Sequence, residues 1–288
     1  PVQKIATYNP KSVTRENRTA ARTIMREYSI NAVPLVNEQG FVEALLFADD
    51  GELVKHSKIG IPVVINAGGK GTRLYPYTKI LPKPLIPIGD EPILSLIMQR
   101  FGRVGCNEFH VIVNHKKNII KAFFADFPTS HQVSFVDEDI PLGTGGGLSL
   151  LKGRIEGTFF FSNCDILIDA DYESMYRQHK REGNVITMVC AIKNVEIPYG
   201  VVNMSSEGEI ESFSEKPRFS FLTNTGLYIV ESEVIDDLKD NEPISFPEIM
   251  DYYRAKGRRV GVYPVSEKAF MDMGQLEELE VMRQRLGE

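Results

Sequence analysis

Residues 65–85 read Ile65-Asn66-Ala67-Gly68-Gly69-Lys70-Gly71-Thr72-Arg73-Leu74-Tyr75-Pro76-Tyr77-Thr78-Lys79-Ile80-Leu81-Pro82-Lys83-Pro84-Leu85. The apolar run that ends at Ile65 predicts a strand over Pro62–Asn66, feeding a loop with three glycines and two cations, Arg73 and Lys83. Glycine has no Cβ, so backbone N–H groups can crowd against phosphate oxygens. Two fixed cations can neutralise a polyphosphate from two directions. Two better-known phosphate loops are excluded. Gly71 stands where the Walker pattern needs Ser or Thr after its lysine, and Leu74 stands where the dinucleotide fingerprint needs its third glycine.

Downstream, strand-like and helix-like stretches alternate. Strands are predicted over Glu108–Asn114, Gln132–Asp137, Thr158–Ser162 and Val185–Ile192. Helices are predicted over Pro92–Val104, Lys117–Phe124, Tyr172–Glu182 and Leu276–Arg285, with another starting over Gly146–Leu151. This alternation predicts an α/β fold, a mostly parallel sheet with helices on both faces. In such sheets ligands collect at the carboxyl ends of strands near a switch in strand order, which is where the glycine loop falls.

The chain has 288 residues, 42% of them hydrophobic, enough for one large core, or for one large and one small domain. A net charge of −6 offers no general attraction to nucleic acid, so an anionic ligand must be held by local cations. No apolar run reaches the length of a membrane span and no signal peptide is visible, which gives the expectation of a cytoplasmic protein with no membrane partner. The chain begins at Pro1, which reads as a processed or excised terminus. Three widely spaced cysteines, Cys106, Cys164 and Cys190, predict buried reduced thiols, not a disulfide framework or a zinc site. His110, His115, His131 and His179 show neither metal-ligand spacing nor a nucleophilic triad order.

Three further stretches carry chemistry. Pro141-Leu142-Gly143-Thr144-Gly145-Gly146-Gly147-Leu148 predicts a close backbone approach to a flat partner before a helix. Phe159-Phe160-Phe161-Ser162-Asn163-Cys164-Asp165 is an apolar strand ending in a carboxylate, a place for either a helix cap or a Mg²⁺ ligand. Asp272, in Phe270-Met271-Asp272-Met273-Gly274, reads alone as an exposed helix start.

Taken together, these stretches resemble the sugar nucleotidyltransferases, or nucleotide-sugar pyrophosphorylases. The family signature is a strand, then G-G-x-G-T-R-L-x-P, then P-K-P-L, all present here in order. The resemblance implies a Rossmann-like nucleotidyltransferase sheet. It also implies a nucleotide site at Ala67, Gly68, Gly69, Gly71, Thr72, Gly143, Thr144 and Gly145, with Gly145 standing where the family usually has alanine. Catalytic cations would be Arg73, Lys83 and Lys216, and Mg²⁺ would be held by Asp165 and Asp272. Cys164 replaces a family glycine and Phe270 a family tryptophan. Tyr199-Gly200-Val201-Val202, Phe213-Ser214-Glu215-Lys216-Pro217 and Asn224-Thr225-Gly226-Leu227-Tyr228 resemble the sugar-phosphate elements. They assign Tyr199, Gly200, Glu215, Lys216, Asn224 and Thr225 to a sugar 1-phosphate.

The implied reaction joins a nucleoside triphosphate to a sugar 1-phosphate, with GTP favoured and glucosamine 1-phosphate or mannose 1-phosphate as acceptor. Uridylyl or thymidylyl transfer to glucose 1-phosphate is the alternative, and a non-catalytic subunit of the same fold is another.

Residues 1–57 read as a separate α+β segment, leaving 58–288 as the catalytic domain. A helix over Thr19–Tyr28, strands over Asn31–Val36 and Phe41–Phe47, a turn at Asn37-Glu38-Gln39-Gly40 and a short helix over Asp49–His56 resemble one CBS motif. CBS motifs pair, so a lone one implies a second half from another subunit or from outside this sequence. The paired module would bind an adenine nucleotide, and a plain packing segment is the alternative. Pairing with another copy would make a homo-oligomer.

Overall fold

The computed structural model describes residues 10–28, 30, 32–47, 59–127 and 129–287. The chain divides into two compact units, Pro1–His56 and Ser57–Glu288.

In the first unit, helix α1 (Ala21–Glu27) packs Ala21 and Met25 onto an antiparallel pair, β1 (Ala32–Val36) and β2 (Val42–Phe47). Val13 adds a parallel bridge to Leu35, closing a small core with Val33 and Leu46. The predicted turn forms because the Asn37 side chain accepts hydrogen bonds from the amides of Gln39 and Phe41, at 3.0 and 2.9 Å. The helix expected over Asp49–His56 lies outside the described residues.

The second unit is built on a seven-stranded sheet. Its strands are β3 (Val63–Asn66), β6 (Glu108–Val113), β7 (Gln132–Asp137), β8 (Thr158–Asn163), β10 (Ile186–Glu196), β13 (Arg218–Glu231) and β14 (Val260–Ser266). They lie in the order β14-β10-β13-β8-β3-β6-β7, and β13 alone runs against the others. Short pairs β4 (Pro87–Ile88) with β5 (Glu91–Pro92), β9 (Ile166–Ile168) with β15 (Phe270–Asp272), and β11 (Val201–Met204) with β12 (Ile210–Ser214) stand outside it.

Alternation along each strand splits the core in two. Val63, Ile65 and Phe160 face one side, with Ile97 and Phe101 of α3 (Ile93–Arg103), Ile120 of α4 (Lys117–Asp126), Met175 of α5 (Tyr172–Glu182) and Leu279 of α8 (Leu276–Leu286). Val64, Phe159 and Phe161 face the other, with Val234 of α6 (Glu233–Asp237) and Phe246 and Ile249 of α7 (Phe246–Ala255). Both faces are therefore covered, which is why Phe159, Phe160 and Phe161 are consecutive and all buried. Cys106, Cys164 and Cys190 are free and buried. The stretch over Gly146–Leu151 winds as a 3₁₀ helix.

β3 has β6 and then β7 on one side and β8 on the other, so strand order reverses beside the glycine loop. The opposite end of the sheet is tied by a polar network. Glu231 accepts from Thr158 and Lys180 at 2.9 and 2.8 Å and contacts fully buried His179 at 3.1 Å. Burial alone would raise its pKa, but these hydrogen bonds hold it down to about 2.

Candidate active site

Five strands deliver side chains to one end of the sheet. The first glycine loop follows β3 and is pinned from behind. Gly71 has φ of 65°, and a Cβ there would lie 3.0 Å from Thr78 and 3.1 Å from the Lys83 Cβ, so the turn strongly favours glycine. The Thr78 hydroxyl donates to the Gly71 carbonyl at 2.8 Å. Helix α2 (Tyr77–Ile80) is capped by the Lys116 ammonium, which donates to the carbonyls of Thr78, Lys79 and Ile80 at 2.8, 2.7 and 3.1 Å. On the front, nothing lies within 4 Å of the place a Gly69 Cβ would take, so that backbone faces open space. Leu74 is buried and anchors the turn Thr72–Leu74, which leaves Arg73 exposed in front of it.

The second glycine stretch is explained first by the protein itself. Gly143 has φ of 79°, and a Cβ there would sit 2.7 Å from the Ile244 carbonyl oxygen. The amides of Gly145 and Gly146 both donate to that carbonyl, at 3.0 and 3.1 Å, and the Phe246 amide donates to the Thr144 hydroxyl at 3.0 Å. The flat partner expected from the sequence is thus, in part, the backbone entering α7. The Asn66 side chain donates to the Thr144 carbonyl at 3.5 Å, linking the two loops.

Glu138, just past β7, joins the loops a second time, and sequence reasoning missed it. It is only 6% exposed, and it lies against Gly68 on one loop and Gly147 on the other. It accepts from the Leu142 amide at 3.2 Å and the Asn114 side chain at 3.3 Å, while burial raises its pKa above the usual carboxylate value. The available signal was its position three residues before the glycine-rich stretch begins.

Asp165 and Asp272, far apart in sequence, converge. β9 follows Asp165 and pairs antiparallel with β15, setting Asp272 opposite Ile166, and the Met273 amide donates to the Asp165 carbonyl at 2.8 Å. Lys83 forms an ion pair with Asp165, their side chains 12% and 13% exposed. Burial works against the Lys83 charge, but the Asp165 charge and hydrogen bond outweigh it and raise its pKa. Asp272 is pushed up to about 6, by burial first and then by the negative charges of Asp165 and Glu278. Asp272 is therefore short of positive charge.

A cavity of about 700 Å³ opens here, lined among others by Arg73, Asp165, Asp272, Asn224 and Thr225. Asn224 is oriented by its neighbours, donating to the Tyr228 hydroxyl at 2.6 Å and accepting from the Gly226 amide at 2.9 Å. Thr225 is buried and donates to the Val189 carbonyl at 2.7 Å. Tyr199, Gly200, Glu215 and Lys216 are not among the lining residues. They flank the β11–β12 ribbon, where a Cβ on Gly200 would lie 3.1 Å from the Glu215 carboxylate. Tyr199 is 75% exposed and Lys216 has φ of 44°.

Among the described residues, no three or more His, Cys, Asp or Glu side chains form a metal-holding group by themselves. Asp165 and Asp272 stand as two carboxylates in the wall of the cavity.

Comparison with known proteins gives the family. The Nucleotidyl transferase family profile matches residues 62–287. The chain is 32% identical to the UTP–glucose-1-phosphate uridylyltransferase of Synechocystis sp., over 65% of this chain and 55% of that protein. It is 29% identical to the D-glycero-alpha-D-manno-heptose 1-phosphate guanylyltransferase of Campylobacter jejuni, over 73% of this chain and 93% of that one. It is 30% identical to the mannose-1-phosphate guanylyltransferase 1 of Arabidopsis thaliana, over 74% of this chain and 61% of that one. The chain thus spans little more than half the length of the first and third of these relatives. In three dimensions it is similar to HddC from Yersinia pseudotuberculosis, with TM-score 0.61 and 25% identity, over 78% of this chain and 99% of that one. HddC has also been solved in complex with GMP-PN. With its mostly parallel sheet, its glycine loop and a profile match over residues 62–287, the chain belongs to the nucleotidyl transferase family.

Proposed function

We propose that this protein transfers a nucleoside monophosphate from a nucleoside triphosphate, with GTP favoured, to a sugar 1-phosphate of the glucosamine or mannose type. The products are a nucleoside diphosphate sugar and pyrophosphate. The convergence of Arg73, Asp165, Asp272, Asn224 and Thr225 on one cavity carries this reading.

A sugar 1-phosphate oxygen attacks the α-phosphorus, an α-phosphorus–oxygen bond breaks in line, and pyrophosphate leaves with the electron pair. The nucleophile is already an anion near neutral pH, so no strong base is required. The barrier is repulsion between two polyanions, which positioning and positive charge lower. Arg73, with no ion-pair partner among the described residues, is free to hold the β- and γ-phosphates. Lys83 keeps its charge through Asp165 and stands beside the α-phosphate. Ala67, Gly68, Gly69, Gly71 and Thr72 line the triphosphate side, and Gly143, Thr144 and Gly145 the base and ribose. Tyr199, Gly200, Glu215 and Lys216 serve the sugar phosphate from the ribbon. Asp165 and Asp272 fit Mg²⁺, a hard cation that takes one or two carboxylates together with phosphate oxygens. When bound, it supplies charge neutralisation at those oxygens.

Two guanylyltransferases among the relatives, and HddC with GMP-PN, support guanine. Glu138 supports it chemically, because a carboxylate accepts the adjacent N–H donors of a guanine edge, whereas uracil and thymine offer a single ring N–H between carbonyls. The Synechocystis relative favours uridylyl transfer to glucose 1-phosphate as the second reading. Pyrophosphate release, measured for each triphosphate against a panel of sugar 1-phosphates, tests all of this, and no turnover with any pair would overturn it. In the same assay Glu138→Gln is expected to lower kcat/KM for GTP about tenfold or more relative to UTP. An unchanged ratio would remove Glu138 from base selection.

The N-terminal unit is read as half of a CBS module that binds an adenine nucleotide once paired in a homo-oligomer. Its helix and β-hairpin support this. Equilibrium dialysis with AMP is expected to show saturable binding, and none would leave it a packing segment.

A further inference from the structure

One cation in the cavity belongs to none of the motifs. Lys193 lies on β10 and lines the same cavity as Arg73 and Asp272. Its orientation follows from register. Directly opposed residues of an antiparallel pair share a face. On this face Ala191 stands opposite Thr223, Lys193 opposite Phe221 and Val195 opposite Phe219. Ala191 and Thr223 both line the cavity, so the face that carries Lys193 is the cavity face. Beyond Lys193 the stacked rings of Phe219 and Phe221, with centroids 6.5 Å apart, continue that wall outward.

Among the described residues the Lys193 ammonium has neither an ion pair nor a side-chain hydrogen bond. Two neighbouring cations, of which Arg285 lines the cavity and Lys83 does not, differ. Arg285 donates to the carbonyls of Phe270 and Lys268, and Lys83, behind Asp165, is already paired. That leaves two cavity cations with no hydrogen-bond or ion-pair partner among the described residues, Arg73 beside the glycine loop and Lys193 on β10, two residues along from the Ala191–Thr223 pair. Both are therefore open to an anionic ligand, in a cavity whose wall also carries the carboxylates of Glu267, Glu277 and Glu278. Lys216, the cation marked by the sequence motif, does not line it.

We propose that Lys193 binds the phosphate of the incoming sugar 1-phosphate and fixes it on the Asn224 side of the cavity. The inference rests on the transferase reading above and names a residue that the motifs do not contain. A charge-assisted contact to a phosphate dianion is among the stronger hydrogen bonds. Lys193→Met keeps the stem and removes the charge.

In steady-state assays with GTP, Mg²⁺ and mannose 1-phosphate, this variant is expected to raise the KM for mannose 1-phosphate about tenfold or more. The KM for GTP should stay within about twofold of the wild-type value, a split that a general loss of structure would not produce. Lys193→Arg should recover most of the loss. Calorimetric titration of the nucleotide-free protein with mannose 1-phosphate should show the same weakening in Lys193→Met. An unchanged KM or unchanged heat of binding in Lys193→Met would overturn the assignment, as would an equal rise in both KM values. Because the titration reads anion binding directly, it judges Lys193 even if the wild type turns over no sugar phosphate. That result would sink the transfer reading alone.

Discussion

Asp165→Asn is expected to lower Mg²⁺-dependent pyrophosphate release by at least about 10²-fold, the scale of removing one preorganised electrostatic group from a reaction centre. Asparagine has the same shape and still offers an oxygen to Lys83, so the chain should remain folded. What changes is charge. The Lys83 ammonium is mostly buried and has Asp165 as its ion-pair partner. Removing that carboxylate leaves Lys83 to Asp272, whose own pKa should fall from its raised value because one of the two negative charges pushing it up is gone. The site thus loses a proposed Mg²⁺ ligand and leaves Lys83 with Asp272 as its only carboxylate partner. A Mg²⁺ titration of the rate, beside a thermal denaturation curve, separates the two effects. Full activity across the titration, with the protein folded, would end the metal assignment.

Lys83→Met should be nearly as severe for turnover, again about 10²-fold or more. It adds a second effect, because the stem that packs on Gly71 is kept while the charge between Asp165 and Asp272 is lost. Breaking a buried pair by removing one partner costs on the order of 3 kcal/mol. Millimolar Mg²⁺ should restore much of that stability, since a bound cation replaces the missing charge in the folded state only. The readout is the difference in Tm with and without Mg²⁺, larger in the variant than in the wild type. A near-normal rate, or a Tm gap no wider than the wild type's, would refute the role given to Lys83.

Much of the fold could be read from the sequence because both faces of the main sheet are covered. Strands such as Thr158–Asn163 are continuous apolar runs bounded by loops, and their limits show in composition. The glycine loop was legible for the same local reason: φ at Gly71 and packing against Lys83 are settled within a dozen residues. The meeting of Asp165 and Asp272 was not, because it depends on β9 pairing with β15, a contact that no local pattern encodes. Gly143 was legible as a close approach, but its partner Ile244 could not be named without the fold. Glu138 and Lys193 were missed because a single charged residue at a strand end looks like any solvated one until its neighbours are known. The reversal of β13 escaped as well, since a buried strand reads the same in either direction.

That reversal shapes what can vary. β10 and β13 extend past the sheet as a two-stranded arm, from Lys193↔Phe221 to Glu196↔Arg218, and the β11–β12 ribbon hangs from its tip. The arm lines the cavity through Lys193 while its outer half, including Val195, Phe219 and Phe221, is exposed. Mutations there leave the two hydrophobic layers untouched, so on the proposed transferase reading the choice of acceptor can change without threatening foldedness. Grafting residues 192–222 from a relative with another sugar should move selectivity for the acceptor and leave the choice of triphosphate where it was.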